Sequence, residues 1–379
     1  MMAGMNETPK GDRTQIAFFG LRNAGKSTLF NAFTGQELAI VNAKPGTTTD
    51  PVSKAMEILP LGPCLVTDTA GLDDDEGELG AQRVQKTYDV LMTTDIAVWV
   101  QGDSSGDGGL CRMRFLKECE LRNVQVLVFA RGDSVDDLKR RIVALGAADN
   151  APHPLVKDFV MPGGFVVCVC PIDSAAPKGR LILPQQQVVR EILDARSTAV
   201  VCRETELQDT LSRLPSVQMV ITDSQAFGVV SRVVPKEIPL TSFSIVFARA
   251  KGDLDEFCRG AESLSGLKDG DLVLISEGCT HHRQCDDIGT VKLPGWIQSY
   301  TGRKLRFEWS SGGGFPSDLS RYALVIHCGG CMLTRRSVQE RIRACRDAHV
   351  PIVNYGIAIA RCHGIEVAAG SVAVRRTNQ

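Results

Sequence analysis

Residues 20–27 read Gly20-Leu21-Arg22-Asn23-Ala24-Gly25-Lys26-Ser27, and this stretch decides the fold of the first third of the chain. It follows an apolar run at residues 15–19 that is typical of a buried strand, and residues 28–33 after it are predicted to be helical. A strand, then G-x-x-x-x-G-K-S, then a helix is the context of a phosphate-binding loop. Its two glycines accept backbone angles that a Cβ would resist, so that consecutive N–H groups can surround an anion. We therefore expect Lys26 to reach the β- and γ-phosphates of a nucleotide and Ser27 to hold Mg²⁺.

Length and composition indicate a protein of two or three α/β domains. The chain has 379 residues, of which 43% are hydrophobic and 23% charged, as in soluble globular proteins. A formal net charge of −1 argues against nucleic acid as the main partner. No apolar run approaches the ~20 residues of a membrane span, and residues 1–14 lack the apolar core of a signal peptide, so we expect a cytoplasmic protein without a membrane partner. Its 13 cysteines then indicate thiols and metal rather than disulfides.

Two further motifs complete the nucleotide site. A Thr-rich loop, Pro45-Gly46-Thr47-Thr48, follows the first predicted helix, and Asp68-Thr69-Ala70-Gly71 ends an apolar strand. A carboxylate at a strand end suits a water-mediated Mg²⁺ contact, and the N–H of Gly71 suits the γ-phosphate. Together these motifs resemble those of translation-factor-class GTPases, in their tRNA-modification and ribosome-assembly branch. That resemblance implies GTP as the nucleotide, Thr48 as an Mg²⁺ ligand and Asn23 as a ligand of an activating K⁺.

The expected nucleotide-binding residues lie in the phosphate loop, in the Thr-rich loop and after two of the predicted strands. They are Asn23, Ala24, Gly25, Lys26, Ser27, Thr28, Thr48, Asp68, Gly71 and Asp133. No glutamine follows Gly71 to orient water, so we assign no catalytic residue and expect slow GTP hydrolysis. The acidic run at residues 73–78, where the second switch is expected, is predicted to be a solvated loop.

Two features depart from the GTPase pattern. Ala130-Arg131-Gly132-Asp133 stands where N-K-x-D is expected. Asp133 can still accept hydrogen bonds from guanine, but those of the missing Asn, worth ~0.5–1.5 kcal/mol each, are lost. After a helix predicted from Val135 to Leu145, the last strand, an S-A-K-like loop and the last helix are missing or abbreviated. We therefore expect a weakened preference for guanine from the first departure and less tight nucleotide binding from the second.

The middle of the chain alternates between predicted strands and helices, which favours a small α/β domain with a parallel sheet. The strands are predicted at residues 164–170, 198–202, 218–222 and 240–248, and the helices at 185–195 and 204–211. Cys168 and Cys170 are two apart on one strand, so they share a face, and we expect them to be core thiols rather than metal ligands.

Two Cys/His groups in the last third each follow an apolar strand, which is where α/β proteins form their sites. Cys279 and His281 make a C-x-H group, and His327-Cys328-Gly329-Gly330-Cys331 makes an H-C-x-x-C group whose glycines let the chain wrap a metal centre closely. Three cysteines and one histidine suit tetrahedral zinc. Three cysteines with an uncertain fourth ligand suit an iron–sulfur cube with one exchangeable iron. Spacing alone leaves both metals open.

The two groups together resemble the C-x-H…H-C-x-x-C signature of the HydF family, the FeFe-hydrogenase maturation GTPases. Other stretches carry the same resemblance, at residues 171–180, 221–225, 240–244 and 353–356, so that it runs from about Arg13 to Ile365. It implies a P-loop GTPase domain at residues 1–150, followed by two smaller α/β domains for dimerisation (151–250) and iron–sulfur cluster binding (251–379). It also implies a 4Fe-4S cluster on Cys279, Cys328 and Cys331, with His281 or His327 as the candidate fourth ligand.

The partners follow from the same resemblance. They are radical-SAM maturases that supply a di-iron subcluster precursor, the apo FeFe-hydrogenase that receives it, and a second copy of the chain in a homodimer. In this interpretation GTP hydrolysis acts as a switch. The alternative is a regulatory GTPase of tRNA modification or ribosome assembly with a structural zinc domain. A third possibility, a redox enzyme that uses the cluster, lacks a catalytic apparatus in the sequence.

Overall fold

The computed structural model describes residues 8–36, 50–74, 77–102, 108–149, 153–172, 181–278, 287–312, 314–367 and 372–376. The chain divides into two compact units, Met1–Pro152 and His153–Gln379. Thr48, Cys279 and His281, three of the expected site residues, lie outside the described residues. Within the described ranges, every helix is too short or too polar to cross a membrane.

The first unit is a five-stranded sheet with helices on both faces. Its elements are β1 (Thr14–Phe19), α1 (Lys26–Thr34), β2 (Val52–Ile58), β3 (Gly62–Asp68), α2 (Gly77–Leu91), β4 (Ile96–Val100), α3 (Gly108–Leu121), β5 (Gln125–Phe129) and α4 (Val135–Asp149). The sheet order is β2-β3-β1-β4-β5, and only β2 runs antiparallel to its neighbour. Because β3 pairs with β1, the carboxyl end of β3 meets the loop that follows β1.

Alternate residues of β1 belong to the two cores of this unit. Ile16 and Phe18 pack with residues of α1 and α4, whereas Ala17 and Phe19 pack with residues of α2 and α3. This alternation is the period of two that a strand buried on both faces imposes, and it makes β1 a rigid base for the loop after it.

The nucleotide unit ends after α4. Among the described residues no sixth strand joins its sheet, and the next strand of the chain belongs to the second unit. This agrees with the sequence-based expectation that the last strand and helix of a GTPase domain are missing or abbreviated.

The second unit contains two sheets. Its elements are β6 (Phe165–Val169), α5 (Leu183–Asp194), β7 (Thr198–Cys202), α6 (Leu207–Arg213), β8 (Met219–Thr222), α7 (Phe227–Val233), β9 (Leu240–Ser242), α8 (Phe243–Lys251), α9 (Leu254–Glu262), β10 (Leu272–Glu277), α10 (Leu293–Thr301), β11 (Arg306–Ser311), β12 (Leu324–His327), α11 (Arg335–Asp347), β13 (Ile352–Asn354), α12 (Tyr355–Cys362), β14 (Ile365–Val367) and β15 (Val374–Arg376). The sheet orders are β14-β15-β9-β8-β6-β7 and β11-β10-β12-β13. The predicted α/β class is confirmed.

The two sheets of this unit share one hydrophobic core. β14 and β15, at the end of the chain, return to the first sheet, where β15 pairs with β9. This sheet is therefore mixed, because both of these pairings are antiparallel, whereas the four-stranded sheet is parallel throughout. The predicted domain boundary at residue 250 stays a prediction.

The strand predicted at residues 240–248 is wrong beyond its third residue. β9 ends at Ser242, and α8 begins at Phe243 because the Oγ of Ser242 accepts the N–H of Ile245 at 3.2 Å. Most of α8 is buried, so its sequence shows no polar face and has the same apolar pattern as a core strand. Cys168 and Cys170 are buried in the core, as expected, and burial raises the pKa of Cys168 to about 12.

Candidate functional site

The loop between β1 and α1 has the backbone of a phosphate cradle. Gly20, Asn23 and Gly25 have positive φ angles of 153°, 59° and 87°. A Cβ at Gly20 would lie 2.6 Å from the carbonyl oxygen of Val100, so the first position needs glycine for close approach. Gly25 is the left-handed residue before α1, and the first-turn N–H groups of a helix have no acceptors within it. The loop therefore points N–H groups and a helix N-terminus at one place, which favours an anion.

Lys26 lies across this loop. Its Nζ donates to the carbonyl oxygens of Leu21 at 2.7 Å and Gly20 at 3.3 Å. Burial lowers the pKa of Lys26 to about 8, against the opposite effect of the carboxylates of Asp68 and Asp73. A phosphate offers this ammonium a charged acceptor in place of two carbonyls, which is a stronger hydrogen bond.

Ser27 and Asp68 form a pair that fits Mg²⁺. The Oγ of Ser27 donates to Oδ2 of Asp68 at 2.6 Å. Asp68 is fully buried, and this burial raises its pKa although Ser27 and Lys26 oppose the shift. Its other oxygen, Oδ1, has no hydrogen-bond partner among the described residues. A buried carboxylate oxygen is costly without a partner, and a metal-bound water would provide one, so the donors present suit Mg²⁺.

Gly71 lies directly against the phosphate loop. A Cβ there would meet the Cγ of Arg22 at 2.5 Å and its backbone nitrogen at 2.7 Å. The next residue, Leu72, is buried and donates its N–H to the carbonyl oxygen of Gly20 at 3.2 Å. The D-T-A-G motif is thus beside the loop, and the residue after Gly71 is a buried leucine rather than a glutamine.

The expectation of a solvated acidic loop is wrong for Asp73 and Asp74. Oδ1 of Asp73 accepts the N–H of Arg22 at 2.6 Å. Asp74 is buried and pairs with Arg83 at 3.2 Å and with Arg22 at 3.6 Å. The sequence shows these charges but not their partners. The start of the segment where the second switch is expected is therefore held to the phosphate loop by charge-assisted contacts.

Asp133, the remaining acidic residue of the expected base-recognition motif, hydrogen-bonds to the backbone of its own turn. Its Oδ2 accepts the N–H of Ala130 at 2.8 Å, and Arg141 lies 3.9 Å away. A guanine base that binds Oδ2 would have to share this oxygen with the backbone bond. Together with the absence of Asn at position 130, this bond supports weak recognition of the guanine base.

An Ala130→Asn variant is expected to discriminate GTP from ATP about tenfold better than the natural chain. The added amide supplies one or two hydrogen bonds at ~0.5–1.5 kcal/mol each. The ratio of the dissociation constants of the two nucleotides measures this effect, and Arg131→Asn in the same turn is the matched control. An equal GTP/ATP ratio in the natural chain and in Ala130→Asn would show that the missing Asn does not matter here.

The H-C-x-x-C loop begins where β12 ends. Cys328 Sγ accepts the N–H groups of Gly278 at 3.0 Å and Gly330 at 3.4 Å, and Gly330 has a φ of +69°. Because β10 and β12 are parallel neighbours, Gly278, the residue before Cys279, reaches this loop. Burial raises the pKa of Cys328, and it raises that of Cys331 to about 11. N–H bonds to sulfur are the contacts that tune iron–sulfur ligands, so the described donors fit a metal–thiolate centre.

The described residues do not by themselves complete a metal site. Among them there is no group of three or more Cys, His, Asp or Glu side chains placed to hold a metal, and Cys279 and His281 lie outside them. The structure thus places Cys328 and Cys331 in one loop, next to the residue that precedes Cys279.

His327 is buried, and both of its ring nitrogens are in use. Nδ1 lies 2.7 Å from the carbonyl oxygen of Cys328, and Nε2 lies 3.1 Å from Nη1 of Arg341. Because a guanidinium only donates, Nε2 accepts and Nδ1 carries the proton. Burial lowers the pKa of His327 to about 3. This arrangement disfavours His327 as the fourth ligand of a cluster.

Two of the stretches that carry the family resemblance meet at the same loop. Ser244 Oγ donates to Oδ1 of Asn354 at 3.0 Å, and Nδ2 of Asn354 donates to the carbonyl oxygen of Cys328 at 3.4 Å. The N–H of Gly356 donates to Asn354 Oδ1 at 2.8 Å. These contacts connect the helices after β9 and β13 to the cysteine loop, a role that the sequence alone did not reveal.

The comparison with protein families decides the affiliation of the chain. Residues 155–252 match the hydrogen maturase F dimerization domain, and residues 255–369 match the hydrogen maturase F tetramerization domain, together more than half of the chain. The chain belongs to the HydF family. Residues 15–129 match the family described as 50S ribosome-binding GTPase. The GTPase-domain match supports GTP and Mg²⁺ binding by this HydF chain, and the dimerization and tetramerization matches support oligomerisation.

The curated relatives resemble only the GTPase domain of this HydF chain. The tRNA modification GTPase MnmE of Phenylobacterium zucineum is 37% identical over 123 residues, which are 29% of this chain and 27% of the relative. That of Chlorobium chlorochromatii is 36% identical over 134 residues, or 34% of this chain and 28% of the relative. The chain thus spans less than a third of the length of these relatives. A match to a solved structure of an Aquifex aeolicus Era variant, bound to GDP and aluminium fluoride, covers 87% of this chain and 97% of that chain at 14% identity, with a TM-score of 0.28.

Proposed function

We propose that this protein is a GTP-dependent scaffold of FeFe-hydrogenase maturation. It holds a 4Fe-4S cluster on Cys279, Cys328 and Cys331, accepts a di-iron precursor from radical-SAM maturases and delivers it to the apo-hydrogenase. The observation that carries the proposal is the environment of Cys328, whose sulfur accepts two backbone N–H groups inside a region that matches a HydF domain.

The residues of the cysteine loop have distinct roles in this proposal. Cys328 and Cys331 bind iron, Gly330 allows the turn between them, and the N–H groups of Gly278 and Gly330 stabilise the thiolate of Cys328. A cube held by three cysteines has one iron with an exchangeable position, where a precursor can attach. Since His327 is engaged with Arg341, we assign the exchangeable fourth position to His281 rather than to His327.

The nucleotide site acts as the switch. Ser27, Thr48 and, through water, Asp68 hold Mg²⁺, and Gly71 contacts the γ-phosphate. Hydrolysis is slow because buried Leu72, rather than a glutamine that could orient water, follows Gly71. Asp73 and Asp74 connect this site to the second switch through Arg22, so loss of the γ-phosphate changes the segment that begins at Gly71. The protein works as a homodimer in the cytoplasm.

GTP turnover is expected to be faster in K⁺ than in Na⁺, because the amide oxygen of Asn23 ligates the larger ion. Asn23 is exposed and has a φ of +59°, a conformation that glycine accepts without strain. An Asn23→Gly variant therefore removes the side chain and keeps the backbone. We expect it to lose the K⁺ stimulation and to keep the rate in Na⁺, measured as phosphate release in matched salts. Equal rates of the natural chain in K⁺ and Na⁺ would remove this role from Asn23.

A second candidate function is a regulatory GTPase with a structural zinc domain. The likeness of the GTPase domain to tRNA modification GTPases favours it. A Cys₃His set also suits tetrahedral zinc.

Metal analysis of anaerobically purified protein separates the two functions. The scaffold predicts iron and acid-labile sulfide in equal amounts, with a broad absorption of visible light that reduction bleaches. The alternative predicts zinc without sulfide, and that result would overturn the scaffold proposal.

A further inference from the structure

Arg341, on α11, is a buried cation with neutral partners. It is 7% exposed. Its guanidinium donates to Ser276 Oγ at 3.2 Å, to His327 Nε2 at 3.1 Å and to the carbonyl oxygen of Gly312, and it lies over the ring of Phe315 at 5.1 Å. No carboxylate among the described residues forms an ion pair with it. Burying a charge without an opposite charge is costly, so such a group requires an explanation.

Another arginine of α11 shows that burial without a carboxylate partner is specific to position 341. Arg346, five residues later, is exposed and pairs with Glu256 at 3.1 Å. The two arginines of this helix thus differ in their surroundings. Arg346 has a carboxylate partner at the surface, whereas Arg341 is buried and contacts His327 at the end of β12.

Among the described residues, the groups that can carry a negative charge and that interact with Arg341 are thiols. Its guanidinium interacts electrostatically with Cys328 and Cys345. Cys345 is a buried core residue on the same helix as Arg341. Cys328 directly follows His327, whose Nε2 lies 3.1 Å from Nη1 of Arg341, so the guanidinium lies beside the loop whose thiolates would bind a metal.

A second cation is tied to the same loop. Lys251 is 9% exposed, and its Nζ donates to the carbonyl oxygens of Cys331 at 3.1 Å and Leu333 at 2.8 Å. Each of the two described cysteines thus has a largely buried cation close to it. A pair of neutral structural thiols needs no cation nearby, whereas an anionic metal centre is stabilised by Arg341 and Lys251.

We propose that Arg341 is the buried counter-charge of the metal cluster held by Cys328 and Cys331, and that it raises the reduction potential of that cluster. The inference rests on the cluster of the proposed function. Cysteine thiolates make such a cluster anionic, and its reduction by one electron adds a further negative charge. A fixed cation at short range in a low-dielectric interior favours the more negative state, so it favours the reduced cluster.

The test compares Arg341→Gln with Arg341→Lys in the full chain, prepared anaerobically, and uses Arg346→Gln on the same helix as the control. Iron and sulfide per chain are measured first, and the cluster is then titrated with dithionite under electron paramagnetic resonance. In Arg341→Gln the ratio of reduced to oxidised cluster at a given potential should fall about tenfold, which is ~59 mV towards negative potential for one electron. Arg341→Lys and Arg346→Gln should change this ratio less than threefold.

The possible outcomes distinguish a failure of this inference from a failure of the proposed function on which it rests. Loss of the cluster in Arg341→Gln with retention in Arg341→Lys supports the counter-charge, because lysine keeps the positive charge that glutamine lacks. A full cluster of unchanged potential in Arg341→Gln overturns it, and so does equal loss of iron in both variants, which would indicate a packing role. A natural chain that binds no iron and sulfide removes the proposed function itself and the inference with it.

Discussion

Replacing Lys26 with alanine is expected to lower kcat/KM for GTP hydrolysis by roughly 10²–10³-fold, or ~2.7–4 kcal/mol, the usual loss for one group that stabilises developing charge. Lys26 is buried, and its Nζ already lies over the phosphate loop on the carbonyls of Gly20 and Leu21. GTP binding exchanges these neutral acceptors for phosphate oxygens. The variant removes the charge partner of the β- and γ-phosphates and leaves the loop backbone intact.

Two further variants make this experiment specific. Ser27→Ala should also lower turnover strongly, because it removes the Mg²⁺ ligand that hydrogen-bonds Asp68. Lys117→Ala, an exposed lysine on α3 of the same unit, should hydrolyse GTP like the natural chain. Phosphate release at saturating and limiting GTP gives kcat and KM. Equal hydrolysis by the natural chain and Lys26→Ala would refute the assignment of the nucleotide site.

Cys328→Ser is expected to lose most of the iron bound by the anaerobically purified protein. Iron–sulfur clusters are normally held by thiolates, and the sulfur of Cys328 is the acceptor for two backbone N–H groups that position the loop. Cys279→Ser and Cys331→Ser should have the same effect, since each removes one of three thiolates. Cys258→Ser, a half-buried cysteine on α9 of the same unit, is the matched control and should keep its iron.

The histidine variants should behave differently from the cysteine variants. His281→Ala and His327→Ala should keep much of the cluster, and the electron paramagnetic resonance spectrum should change for the histidine that binds iron. The contacts of His327 with Arg341 and Cys328 make His281 the expected one. A Cys331→Ser protein that still binds a full cube would contradict the assignment of the cluster ligands.

The sequence predicted the parts of this protein that depend on neighbours along the chain. The phosphate loop, its strand and its helix follow from glycines and apolar residues within about 20 positions, and β1 and α1 lie where the pattern places them. We also expected the strands that precede the two Cys/His groups to end close together, and β10 and β12 are parallel neighbours in the sheet. The HydF resemblance rested on the same local motifs.

The sequence did not predict features that depend on distant partners. α8 is buried on most sides, so its apolar run was interpreted as a strand, and Ser242 as a helix cap was the signal that could have corrected it. Asp74 is one of several consecutive acidic residues, and the neighbouring sequence does not show that it is buried or that it pairs with Arg22 and Arg83. Arg341 is one of several arginines on α11, and only the fold shows that it reaches His327.

The most direct test of the central claim is the activation of an apo FeFe-hydrogenase. The protein is co-expressed with the radical-SAM maturases, purified without oxygen and mixed with the apo-enzyme, and hydrogen evolution is measured. The account predicts hydrogen evolution with the natural chain, the same activity with Cys258→Ser, and none with Cys331→Ser. An apo-hydrogenase that stays inactive with the loaded natural chain, or that Cys331→Ser activates equally well, would contradict it.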